Sequence, residues 1–270
     1  MAISFTNIPS GIRVPLFYAE VDNSQANTGS NNLRTLLIGQ MLSDGKAEAG
    51  KPILVTVDSQ GKELFGRGSM LARMNTAFRQ NNTFGEVWAI PVTDPSGAAK
   101  ASGTLAFKGE ASAAGTVFCY IGADRLAVNV AISDTASKVA KAVAAAINAR
   151  PDLPVTAEAS DSGSTSEVTV QAKNGGTFGN DIKLQINVQG FAAGEELPEG
   201  IGCTVTAMSG GTGVVDLDGV IKAMGDEEYD FNAVCRRHSA CGSAKGDGRR
   251  HWALVSDEAD LRPCLLRNAR

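Results

Sequence analysis

At 270 residues the chain is long enough to bury a full core, as one large domain or two smaller ones. A hydrophobic share of 43% with mean hydropathy near zero reads as globular, and no apolar run is long enough to span a bilayer. The net charge of -4 gives no overall pull toward nucleic acid or an anionic membrane. No basic segment followed by an apolar one opens the chain as a secretory signal would.

The first thirty residues alternate in strand period, with Ile3 and Phe5, then Ile12, Val14, Leu16 and Tyr18. Pro9 and Pro15 interrupt the run, which suits an edge strand or an extended arm. Such an arm either docks on its own domain or finds a sheet edge on another subunit; the pattern leaves both open. The polar, Gly- and Asn-rich stretch Asn23 to Asn32 reads as a linker, so an arm and linker occupy residues 1–32.

Residues 33–95 read as the first part of an α/β core. Leu36-Leu37-Ile38 and Ile53 to Val57 are strand candidates. Ser69 to Gln80 carries Met70, Leu71, Met74, Ala77 and Phe78 at amphipathic helix spacing, and Glu86 to Val92 is a strand ending at Pro91. The turn Asp94-Pro95-Ser96-Gly97 opens a β-rich unit over 96–213. Its strand candidates are 104–107, 116–121, 126–132, 155–159, 168–172, 182–188 and 204–207, with Gly122-Ala123-Asp124 as a hairpin connection. One helix, Thr135 to Arg150, is expected there, capped by Ser133 or Asp134 and carrying the narrow stripe Val139, Ala140, Val143, Ala144 and Ile147. Over 214–234 the pattern returns to a helix (Val215, Leu217, Val220, Ile221, Met224) and a strand (Tyr229 to Val234). The economical reading is a mixed α+β, α/β protein: an α/β core interrupted by an inserted β-rich domain with one helix, preceded by an extended arm.

The last 36 residues, 235–270, are of another character. They hold seven of the 14 Arg, both His and three of the five Cys, with a net charge of +4 against -8 for the residues before them. Cys235, His238, Cys241, His251 and Cys264 are zinc-type ligands at no closed four-ligand spacing, so no metal site is expected. The pairs Arg236-Arg237 and Arg249-Arg250 lack the fold and aromatics of a phosphate-binding surface and read as solvated.

Residues 1–234 contain no histidine, which removes His-based general-base catalysis and nucleophile activation. Gly66-Arg67-Gly68 and Gly210-Gly211-Thr212-Gly213 precede helices but lack a phosphate-loop context, so they read as turns with positive φ. Asn81-Asn82-Thr83 fits a glycosylation sequon without an accompanying export signal. The acidic turn Asp226, Glu227, Glu228 reads as solvated, and Cys119 and Cys203 as reduced core residues. Neither an enzyme nor a cofactor-binding protein is expected.

Several segments together resemble the tail sheath proteins of contractile-tailed bacteriophages, in the Mu-like prophage group. They are the opening ISFTNIPSGIRVPLFYAEVDNSQA, LLIGQ at 36–40, the run from Gln171 through Asn174-Gly175-Gly176-Thr177-Phe178-Gly179-Asn180-Asp181-Ile182, and Thr206-Ala207-Met208-Ser209-Gly210-Gly211. The resemblance implies subunits stacked as hexameric rings around a tail tube, with an α/β core facing the tube and a β-rich domain outside. Terminal arms would link neighbours by strand addition, and collapse of the extended sheath would drive the tube through the host envelope. Ile3, Phe5, Ile8, Val14, Leu16 and Phe17 would then be the docking residues of the arm. The implied partners are further copies of the chain, the tail tube protein, and the baseplate and tail terminator proteins, with no nucleic acid and no membrane insertion. The implied location is the virion, after assembly in the bacterial host cytoplasm. The alternative is a β-rich receptor- or ligand-binding module, in which 96–213 binds the ligand.

Sheaths of this group continue past this length and carry a stretch resembling M-x-D-x-x-G-R-W-x-x-x-x-Q-x-Y-G-H-V-F, which is missing here. Codons can be chosen for Asp247 to Ala269 that, read one base later, give MADDTGRWSATKQTYGHVFSAT. The expectation is a one-nucleotide frameshift near Val234 or Cys235, leaving 235–270 out of frame, loose or arbitrary in conformation, and the core incomplete.

Overall fold

A computed structural model describes residues 34–161, 165–225 and 229, and the backbone of 162, 231–234 and 264–267. By its contacts the chain separates into Met1–Asn32 and Leu33–Arg270. The architecture of the second unit is of the mixed α+β class.

Its first sheet has the order β12-β11-β1-β3-β2. The strands are β1 (Arg34–Gln40), β2 (Ile53–Val55), β3 (Glu86–Val92), β11 (Phe231–Val234) and β12 (Cys264–Arg267). β1 is central and parallel to both β3 and β11. A central parallel strand is covered on both faces, which is why Leu36, Leu37 and Ile38 can follow one another as apolar residues. Leu37 joins Val87, Ala89, Phe65 and Leu71 on one face; Leu36 and Ile38 join Ile90, Val215, Val220 and Met224 on the other. Helices α1 (Asp58–Phe65) and α2 (Met70–Asn81) cover the first face and α4 (Asp218–Met224) the second.

The second group of strands comes from 102–209 and forms two sheets, β10-β4-β8-β7 and β6-β5-β9. Its elements are β4 (Ser102–Gly109), β5 (Gly115–Ile121), β6 (Asp124–Val130), α3 (Ala136–Asn148), β7 (Val155–Ser162), β8 (Thr165–Ala172), β9 (Leu184–Ile186) and β10 (Ile201–Ser209). Gly122, at φ 60, and Ala123 close the β5–β6 hairpin. The stripe Val139, Ala140, Val143, Ala144 and Ile147 is buried in one cluster with Leu105, Phe107, Val168 and Val170. Small residues at Ala140 and Ala144 let the helix lie close to the sheet.

Several expectations are corrected. β3 has the expected bounds Glu86–Val92 but does not end at Pro91; β2 stops opposite Ala89, so no strand needs an N–H from Pro91, whose carbonyl accepts from the Gly50 N–H (2.8 Å). α1 is an additional helix that the pattern did not indicate. The N-cap of α3 is Thr135, not Ser133 or Asp134. Asp134 instead accepts from the Ala131 N–H (2.9 Å) and from Lys138 Nζ (2.6 Å), closing the preceding turn, in which Ser133 takes φ 65. β6 ends at Val130, and Ile132 is 63% exposed. β9 is only three residues long because Asn187 turns to φ 50 and pairs its backbone N–H and its Oδ1 with Phe118. Ile221, assigned to the apolar face of α4, is 43% exposed, while Val220 and Met224 are buried. Finally, Cys264–Arg267 pairs antiparallel with β11, so the expectation of an arbitrary conformation for 235–270 does not hold at these four residues.

Candidate functional site

The loop after β8 carries the densest polar convergence among the residues described. It belongs to the run Gln171 to Ile182, and it meets the first sheet at the C-terminal end of β1. Asn174 is buried there. Its Oδ1 accepts from the Met70 N–H (3.1 Å), a donor of the first turn of α2, and its Nδ2 donates to the Met41 carbonyl (3.1 Å). The same Nδ2 donates to Asp94 Oδ1 (3.0 Å). Gln40, the last residue of β1, is buried as well and donates to Asp94 Oδ1 (2.8 Å) and to the Gly175 carbonyl (2.7 Å). The Gly175 N–H completes the set on Asp94 Oδ2 (2.6 Å). Gly175 permits this approach, since a Cβ there would lie 3.1 Å from the Ala98 Cβ and 3.3 Å from Asp94 Oδ2.

The two connections between the sheets are tied into the same place. Ala99 and Thr212 exchange backbone hydrogen bonds, Gly176 N–H donates to Ala99 (3.0 Å), and Thr177 N–H donates to Gly213 (3.0 Å). The Asn180 side chain brackets Gly211 from both sides, at 2.8 and 2.9 Å. Phe178, in the 3-10 turn Thr177–Asp181, packs against the cluster under α1 and α2.

An ionic patch flanks the loop at Lys173. Its Nζ donates to the Pro151 (2.6 Å) and Arg67 (3.1 Å) carbonyls, and burial holds the ammonium below its usual range. Asp152 pairs with Arg67 (2.9 Å) and Lys62 (3.2 Å), and Arg73 pairs with Asp124 (2.8 Å). Burial works to raise the Asp152 carboxyl, but the hydrogen bonds from Arg67 and Lys62 outweigh it and hold it below its ordinary value. A separate buried carboxylate, Glu195, accepts from Tyr120, Arg125 (2.8 Å) and the Gln189 N–H (3.0 Å).

Chemically, this arrangement fixes surfaces against one another. The acceptors of Asp94 meet donors, and no nucleophile lies beside a base in it. Gln40, Asp94 and Asn174 were not singled out individually from the sequence. The available signal was a polar residue closing an apolar strand and an Asp-Pro turn, both ordinary features.

The arm residues Ile3, Phe5, Ile8, Val14, Leu16 and Phe17 lie outside the described residues, as do Asp226, Glu227, Glu228, Cys235, His238, Cys241 and His251; Cys264 is placed by its backbone alone. Among the described residues no three His, Cys, Asp or Glu gather as a metal set. The glycines of 66–68 and 210–213 do take positive φ at Gly66, Gly68, Gly210 and Gly213. The space beside Gly68 is filled by the Leu153 carbonyl and Lys173, and the N–H groups of Gly211 and Thr212 are bonded to Asn180 Oδ1 and the Ala99 carbonyl. Cys119 is buried but Cys203 is only partly so; burial pushes both thiols up to about 12.

The fold is thus of the mixed α+β class, and its most connected site joins two parts of the chain. By sequence, the chain is a relative of the tail sheath proteins of Mu-like prophages. It is 37% identical over 233 residues to the Mu-like prophage FluMu tail sheath protein of Haemophilus influenzae, a match covering 86% of this chain and 46% of that protein. The chain therefore spans about half the length of the curated relative it matches. No family model matches. Crystal structures of the flagellar cap protein FliD from Escherichia coli overlap part of the chain at low scores. The D2-D3 domains are 15% identical, with TM-score 0.25, covering 41% of this chain and 62% of that one; the D1-D2-D3 domains are 13% identical, with TM-score 0.24, covering 43% and 41%. Overlap at that level carries no argument. No helix among the described residues is long and apolar enough to cross a membrane.

Proposed function

We propose that this chain is a structural, non-catalytic subunit of a phage contractile tail sheath. The 37% identity over 86% of the chain to a Mu-like tail sheath protein carries the reading. In it, subunits polymerise as rings around the tail tube, contact baseplate and terminator proteins at the ends, and contract to drive the tube through the host envelope. Assembly takes place in the host cytoplasm and the product is a virion component. The N-terminal arm, through Ile3, Phe5, Ile8, Val14, Leu16 and Phe17, adds a strand to a neighbouring subunit. Residues 96–213 form an inserted outer domain between core segments 33–95 and 214–234. The origin of the β4-to-β10 sheets wholly within 102–209, with the other sheet drawn from both flanks, supports that division.

Residues 235–270 are read as the product of a one-nucleotide frameshift. The matched length of 233 residues, beside the 234 that precede Cys235, supports this reading. Sequencing the gene tests it: an alternative frame that lacks the G-R-W…Y-G-H-V-F stretch refutes it. Electron microscopy of the frame-restored protein, alone and with its tube protein, tests the function. Sheath-like cylinders are expected; persistent monomers under varied conditions would instead favour a ligand-binding module.

A further inference from the structure

We propose that Asp94 is the keystone of a rigid joint that makes the 34–92 sheet and the 102–209 strand-rich part turn and unfold as one body. The inference does not depend on the sheath reading. The two parts are linked covalently by two short crossings, 93–101 and 210–217, which contain Gly97, Gly210, Gly211 and Gly213. Glycine-rich crossings of this kind form a hinge unless something locks them. The lock is the carboxylate at the root of the first crossing. One donor comes to it from each side, Gln40 from β1 and Asn174 from the loop after β8, and a third from the Gly175 N–H.

Direct bonds reinforce the carboxylate. Gln40 reaches across to the Gly175 carbonyl, and Asn174 reaches across to Met41 and Met70. Hydrogen bonds to a charged acceptor are the stronger kind and are directional; Asp94 is half-buried, and two of its donors, Gln40 and Asn174, are buried. All three partners of Asp94 are donors, so a carboxamide at this position always sets an N–H against another N–H. Asp94→Asn therefore keeps volume and packing while breaking the lock. It isolates the hydrogen-bonding role from any loss of contact.

The test compares full-length wild type with Asp94→Asn by hydrogen exchange and urea unfolding. In the variant, exchange at Gly175, Gly176 and Thr177 should quicken at least about tenfold while the β7–β8 and β1–β3 ladders keep their protection. A single unfolding transition in wild type should split into two. Gln40→Met, which keeps length and removes the donor, decides the matter if Asp94→Asn does not fold, and should loosen the same amides selectively. The proposal is overturned by two transitions already present in wild type. It is equally overturned by unchanged exchange at the joint, or by a rise of equal size in the joint and both ladders.

Discussion

Gly61 and Asn75 offer a sharp test of how α1 packs on α2, the pair of helices that carries the Met70 end of the joint. Asn75 is 0% exposed, and neither its Oδ1 nor its Nδ2 bonds to a protein group. A Cβ on Gly61 would collide with Asn75 Nδ2 and lie 3.1 Å from its Cγ. Gly61→Ala gains about 1 kcal/mol of helix propensity, against an overpacking cost of about 1–3 kcal/mol; the expected net is a loss of about 1 kcal/mol. Asn75→Ala removes two desolvated polar atoms, each worth about 1–3 kcal/mol when left unbonded. Against that stands a cavity of about 40 Å³, costing about 1 kcal/mol. The expected net is a gain of about 1–5 kcal/mol. With the Asn75 amide gone, the methyl group that Gly61→Ala introduces enters the vacated space, and that substitution changes sign, to a gain of about 1 kcal/mol. Urea unfolding of the two single variants and the double variant measures the coupling, expected at about 2 kcal/mol. Effects that add within about 0.5 kcal/mol would refute the packing argument.

Acid should destabilise the fold through Asp152 and Glu195. Both carboxyls sit below their ordinary values when folded, so their stabilisation is present above the unfolded values near 3.8 and 4.5 and is lost as pH falls through the lower folded ones. Melting temperature against pH should fall steeply in that window, and Asp152→Asn should make the fall shallower; an unchanged slope would count against the Lys62–Asp152–Arg67 network. Cys119 and Cys203, with thiols raised to about 12, should remain unalkylated at pH 8 in the native chain and react once it is unfolded, as read by peptide mass spectrometry. Phe107, fully buried between the strands and α3, should cost about 3–5 kcal/mol on conversion to Ala, with loss of cooperative unfolding as the readout.

Local pattern was enough wherever a segment's partners were near in sequence or its face was plain. The alternation through Val117, Cys119, Ile121, then Leu126, Val128 and Val130, with Gly122 at the turn, marks the β5–β6 hairpin. The stripe from Val139 to Ile147 marks α3, and Ser69 marks the start of α2, where its Oγ accepts from the Ala72 N–H (3.1 Å). α1 is not indicated by the pattern because its segment DSQGKELF carries a glycine mid-helix and little apolar periodicity; it is anchored by Phe65, buried in the core cluster it shares with α2. The strand candidate 182–188 extends beyond β9 at both ends; the strand is Leu184–Ile186 and stops before a left-handed Asn187. The joint was illegible for a different reason. Gln40 bonds to residues 54 and 135 positions away, and Asn174 to one 80 positions away, so no window of sequence contains the arrangement.

The chemistry of the joint also explains why a polar lock serves where an apolar one would not. Phe178 is the apolar knob pressed into the first core at this place, and apolar contact is roughly proportional to area and indifferent to direction. A knob of that kind holds two bodies together but permits them to roll. The carboxylate of Asp94, the amides of Gln40 and Asn174 and the N–H of Gly175 bond over 2.6–3.0 Å, and each bond weakens steeply when its angle is lost. Rolling by even one bond length would leave the half-buried carboxylate and the buried amides of Gln40 and Asn174 unmet, a cost of several such bonds at once. Cohesion and orientation are thus carried by different residues. A variant that trims Phe178 should weaken the attachment without changing the angle between the two parts, and one that alters Asp94 should free the angle while attachment persists.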